Sequence, residues 1–151
     1  MKKLIGLALV CISSVLVLAA LATAGSAKAP APKKFNAVLN VGQEVMPRPK
    51  GTKLGATGRF TVTVTGTSLK WTLTFTHLTG QATAAHIHSG VRGKAGAVLI
   101  ALCGPCTSPA SGTGTITAAE LADMLAGKEY VNVHTAKNPN GEIRGQITHV
   151  S

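Results

Sequence analysis

The chain has 151 residues, a formal net charge of +10, five acidic residues, and side chains that are 45% hydrophobic but only 3% aromatic. Such a length holds one domain around one core. Five carboxylates leave few actors for acid–base hydrolysis, and cations with no aromatic residues interleaved among them do not fit nucleic-acid binding.

The N-terminus reads first. Met1-Lys2-Lys3 is followed by an almost wholly apolar run over 4–22 and then by small residues, Ala22-Thr23-Ala24 and Gly25-Ser26-Ala27. A basic start, an apolar stretch and small-residue cleavage positions make a secretory signal peptide over 1–27. This predicts a secreted, periplasmic or cell-envelope protein. Only a retained leader would engage a membrane, because its roughly 19 apolar residues nearly span a bilayer. Loss of Lys2 and Lys3 with the leader lowers the charge from +10 to +8. That balance suits an anionic envelope polymer as partner, or an extracellular protein with an acidic face.

Residues 28–34, with alternating Ala, Pro and Lys, read as an extended tether, since proline denies the segment helix and ladder bonds. The domain proper is expected over 35–150. Phe35, Ala37, Leu39 and Val41 alternate with polar or outward positions and predict a first strand. The two prolines Pro47 and Pro49 mark a loop. Phe60, Val62 and Val64 form one face of a second strand, and Leu69, Trp71, Leu73 and Phe75 one face of a third, with Gly66-Thr67-Ser68 turning between them. His77 continues that alternation and is expected at the end of the core face. Further strands are expected over 84–88, 97–102, 112–116, 130–134 and 142–149. One helix interrupts them: Thr117 and Glu120 form a capping box, Leu121, Met124 and Leu125 a stripe, and Gly127 a stop. Short alternating runs between turn residues define an all-β, antiparallel sandwich or barrel with one short helix.

Two segments carry chemistry. In His86-Ile87-His88, residues two apart on a strand share a face, so both imidazoles can converge on one ion. Alternation over 130–135 places Tyr130, Asn132 and His134 on the face opposite Val131 and Val133. Three imidazoles at His86, His88 and His134 with no acidic residue nearby suit copper or zinc, or else hold turns by hydrogen bonds to loop backbone. Cys103-Gly104-Pro105-Cys106 spells a redox motif, but the loop composition that follows supplies no helix N-terminus to activate the first thiol. In an exported chain the pair Cys103 and Cys106 is expected to form a structural disulfide.

The run Ala84-Ala85-His86-Ile87-His88-Ser89-Gly90 resembles a motif of the CHRD (chordin-type) domain family. So does the stretch from Tyr130 to Thr135 with Asn138-Pro139-Asn140-Gly141-Glu142-Ile143-Arg144-Gly145-Gln146-Ile147. The resemblance covers about 35–147 and implies an immunoglobulin-like or superoxide-dismutase-like β-sandwich. It implies no reaction, since the family is named for repeats in a secreted binder of growth factors. A weaker resemblance is to copper–zinc superoxide dismutase. It would map His86, His88 and His134 onto three copper ligands and Arg144 onto an anion-guiding arginine. The chain departs from that pattern. Only His77 and His149 are spare for a fourth ligand, and Asp123 on the expected helix is the sole aspartate, so a zinc site is disfavoured. The resulting expectation is a non-catalytic CHRD module with a copper site. A dismutase-like copper enzyme and a metal-free binder of protein or acidic polymer are the alternatives.

Overall fold

The computed structural model describes residues 28–151 other than Met46 and Leu54. The expected leader over 1–27 lies outside the described residues. Strand β1 (Lys33–Asn40) buries Phe35, Ala37 and Leu39; β2 (Thr57–Thr65) buries Phe60, Val62 and Val64; β3 (Ser68–Thr76) buries Leu69, Trp71 and Leu73. The period of two read in the sequence is thus the inward face of three paired strands. Register keeps the faces together, with Phe35 opposite Val62 and Val62 opposite Trp71. Gly66, at φ 61, supplies the left-handed residue of the β2–β3 turn.

The remaining strands are β4 (Ala82–Ser89), β5 (Val98–Cys103), β6 (Ala110–Thr115), β7 (Glu129–Thr135), β8 (Ile143–Gln146) and β9 (Thr148–Val150). They join into one antiparallel path, β5-β4-β7-β8-β1-β2-β3-β6, with β9 added against β1. The end strands approach each other: a Cβ placed on Gly114 of β6 would lie 4.0 Å from Ile100 of β5. The result is a nearly closed, flattened all-β barrel filled by the inward side chains of both halves. Helix α1 (Ala118–Leu125) sits between β6 and β7. Its N-terminus carries the expected reciprocal capping box of Thr117 and Glu120, and Met124 is fully buried beneath it.

Three details differ from the sequence reading. Val41 opens a short 3-10 turn, Val41–Gln43, capped by the Asn40 side chain, and does not continue β1. The single strand expected over 142–149 is split. Ile147 is buried and donates its N–H to the Glu129 carbonyl, after which the chain crosses to β1 as β9. His77 does not end the core face. It leaves β3 at φ 60 as an exposed turn residue, its Nδ1 3.1 Å from Thr76 Oγ1.

Strand β7 positions the site. It lies between β4 and β8, and all seven of its residues are buried. Val131 and Val133 enter the core as expected. Tyr130, Asn132 and His134 face outward, yet loops fold over them and remove them from solvent.

Candidate metal centre

The β4–β7 register sets Ala84 opposite His134, His86 opposite Asn132 and His88 opposite Tyr130. His86 and His88 are therefore neighbours along one strand, and His134 sits diagonally across from His86 on the next. Their ring centroids are 5.5 Å (His86–His88), 5.0 Å (His86–His134) and 6.1 Å (His88–His134) apart. One nitrogen from each lies within 4.8 Å of the other two. The structure thus brings together the three imidazoles singled out in the sequence, and leaves out His77 and His149. Among the described residues no carboxylate joins the group.

Two of the three rings are fixed by backbone carbonyls. His88 Nδ1 is 3.1 Å from Gly96 O, and His134 Nδ1 is 2.9 Å from Pro139 O. A carbonyl only accepts, so in the neutral ring Nδ1 carries the proton and Nε2 keeps a lone pair. His134 Nε2 lies 3.1 Å from His86 Nδ1. His88 Nε2 is buried with no hydrogen-bond partner among the described residues. Burial is the leading cause that holds all three imidazoles below their ordinary pKa. The His88 charge adds to it at His86, the Arg144 charge at His88, and the charges of His86 and His88 at His134. The rings are accordingly neutral at physiological pH, the state in which imidazole ligates a metal.

Each carbonyl belongs to a turn that has its own support. Gly96 lies in the loop between β4 and β5. The Arg144 guanidinium donates to Lys94 O (2.9 Å) and Val91 O (3.0 Å) of that loop and to Gln146 Oε1 (3.2 Å). It stacks 3.5 Å above the Tyr130 ring, whose other neighbour is His88, parallel to it at 5.0 Å. The Tyr130 hydroxyl accepts from Gly96 N at 3.3 Å. Gln146 Nε2 ties down Gly90 O, Gly127 O and Glu129 O. Arg144, expected as an anion guide, is 1% exposed, and these donors are committed to the loop.

Pro139 lies in the β7–β8 turn, which Glu142 organises. The fully buried Glu142 carboxylate accepts from Thr79 N (2.7 Å), Thr79 Oγ1 (2.6 Å), Thr135 Oγ1 (2.6 Å) and Asn138 Nδ2 (3.2 Å). Burial alone would raise its pKa. The donors from Thr135, Thr79 and Asn138 outweigh burial and hold it below the ordinary carboxylate value. Asn138 also accepts from Lys50 N at 2.8 Å, which fastens the proline-rich loop over the turn.

Cys103 and Cys106 form a disulfide at the edge of this sheet, beside β4, where Cys103 pairs with Ala85 and Cys106 with Ala82. This is the structural bond expected from the sequence.

Sequence reasoning named the three clustered histidines but not the residues that support them. The alternation over 130–135 placed Tyr130 and Asn132 on the histidine face, which was the available signal. Nothing local in the sequence pointed to Glu142, Asn138 or Gln146 as turn organisers.

A nearly closed antiparallel β module with a buried, neutral, three-imidazole cluster is the class that fold and site define. The family model of the CHRD domain matches residues 35–147, and the chain belongs to that family. No curated protein and no solved structure matches the chain. The weaker resemblance to copper–zinc superoxide dismutase therefore gains no support from the comparisons.

Proposed function

We propose that this CHRD domain is an exported module that holds one copper ion at His86, His88 and His134. The observation that carries the reading is the pair of Nδ1–carbonyl contacts, which turn the Nε2 lone pairs of His88 and His134 into the cluster. Metal-binding histidines are oriented in this way by a second hydrogen bond on the far nitrogen. Nitrogen donors without a carboxylate suit copper, which such sites bind more tightly than zinc. A holding role, not superoxide turnover, is favoured because Arg144 is withdrawn from solvent and clamps the His88 loop.

The test is metal analysis of the purified mature protein. One copper per chain is expected, with most of the affinity lost in His88→Ala. Equal uptake by the parent and the triple His→Ala variant would end the reading. Export is inferred from the basic and apolar start of the chain. Mass spectrometry of native protein should find an N-terminus between Gly25 and Lys28, and an intact Met1 on cytoplasmic protein would refute it.

A further inference from the structure

Buried polar atoms in folded proteins nearly always have partners. Among the described residues five such side-chain atoms have none: Glu44 Oε1, His88 Nε2, Asn132 Oδ1 and both carboxylate oxygens of Glu129. Three of the five belong to His88, Asn132 and Glu44, which lie around one place on the outer face of β7. We propose that Asn132 supplies a fourth, oxygen donor to the metal held by the three imidazoles. The proposal rests on the copper reading above and adds a ligand to it.

Position comes first. Asn132 stands directly opposite His86 in the β4–β7 register, two residues before His134 on the same face, and is 2% exposed. Its carboxamide adjoins the His88 imidazole. With the His88 Nδ1 proton given to Gly96 O, His88 Nε2 offers only a lone pair, and an amide oxygen offers only lone pairs. Two acceptors side by side, buried and without a donor, are destabilising when left so. A cation shared between them removes that cost.

The orientation of the amide follows from its other side. A Cβ placed on Gly141 would lie 2.8 Å from Asn132 Nδ2 and 2.6 Å from Glu44 Oε1, so the nitrogen end and the Glu44 carboxyl flank the same glycine. The amide nitrogen thus lies on the Gly141 side, and the unpartnered oxygen is the end left to face the imidazoles. Together Asn132, Glu44, Tyr130 and Arg144 line a cleft of about 230 Å³ next to the cluster. A space-filling role would be served equally well by leucine. An amide oxygen without a partner would not be. Three imidazole nitrogens with one weak, neutral oxygen form a donor set that copper accepts.

The experiment compares copper(II) bound to the parent with copper(II) bound to Asn132→Leu and Asn132→Asp, by competition titration and electron paramagnetic resonance. Asn132→Leu should keep the three-nitrogen hyperfine pattern, shift the parallel g and hyperfine values, and weaken binding by about 10–100-fold. Asn132→Asp, which keeps an oxygen and adds a charge, should bind at least as tightly as the parent and shift the spectrum the other way. Parent-like affinity and spectrum in either variant would overturn the fourth ligand while leaving the three-histidine site standing. A parent that binds no copper would overturn both, and His88→Ala measured alongside separates the two failures.

Discussion

Glu129 opens β7 at 1% exposure, and neither of its carboxylate oxygens has a hydrogen-bond partner among the described residues. Burial, with smaller contributions from the Glu120 and Asp123 charges of α1, raises its pKa from an ordinary 4.5 to about 7. The folded state therefore holds this proton more tightly than the unfolded chain does. Its contribution to stability is complete below pH 4.5 and lost as pH rises through about 7. Linkage between pH ~5 and ~8 makes that loss about 2.5 kcal/mol. Glu129→Gln keeps the shape and cannot ionise. Any cost of its unpartnered amide is the same at every pH and drops out of the comparison. Urea unfolding, followed by the fluorescence of the single, buried Trp71, should thus show the variant gaining on the parent by about 2.5 kcal/mol from pH ~5 to ~8. The shifts at the histidines and at Glu142 are common to both proteins and cancel. Stability curves that run parallel across this range would refute the argument, because they would mean that the carboxyl is hydrated when folded.

Two further outcomes follow from the site. Since burial holds the three imidazoles below their ordinary pKa, copper affinity should stay level from about pH 8 to about 6.5 and fall only below that. A titration that weakens already between about pH 8 and 7 would show ordinary, exposed imidazoles. Glu142→Gln should lower stability by about 2–3 kcal/mol at neutral pH, through loss of charge-assisted bonds from Thr79, Thr135 and Asn138. Because the Glu142 pKa is held down in the folded state, this gap should persist near neutral pH and close as pH falls through that lowered value, as a series of unfolding curves from about pH 7 downward would reveal. The same variant should weaken copper, as its turn carries the carbonyl that orients His134, and unchanged affinity would separate the turn from the site.

The barrel was legible because β1, β2 and β3 have one wet and one dry face, and the period of two survives wherever that holds. It failed where loops cover the second face. On β7 every residue is buried, so polarity no longer reports exposure, and Glu129 carries no hint in the sequence of being dry. His77 misled for a local reason: one residue at φ 60 ends the alternation, and nothing in the sequence Thr76-His77-Leu78 marks that break. The strands carrying His86, His88 and His134 were placed correctly, and His-x-His spacing together with the β7 alternation sufficed to gather the three imidazoles. Their second hydrogen bonds come from turns 8 residues away in the case of His88 and 5 in that of His134. Which carbonyl of a turn faces inward is a matter of tertiary packing, and periodicity does not report it.

The motif over 138–147 is longer than the placing of one histidine requires, and the geometry accounts for its length. His134 needs one carbonyl, from Pro139, yet that carbonyl is fixed only because Asn138 and Glu142 close the turn on themselves and on Thr79. His88 needs one carbonyl, from Gly96, and that is fixed only because Arg144 and Gln146, on the strand leaving the same turn, reach across to the 90–94 loop. Gly145 between them has no room for a side chain: a Cβ there would lie 2.8 Å from Val38 O of β1. One hairpin, β7–β8, therefore carries His134, the turn that orients it, and the two residues that orient His88 on β4. The polar residues of this hairpin act as a unit. Exchanging Arg144 for lysine would keep the charge but lose the planar fork that spans Lys94 O, Val91 O and Gln146 while stacking on Tyr130, and so would loosen a histidine that it never touches through a hydrogen bond.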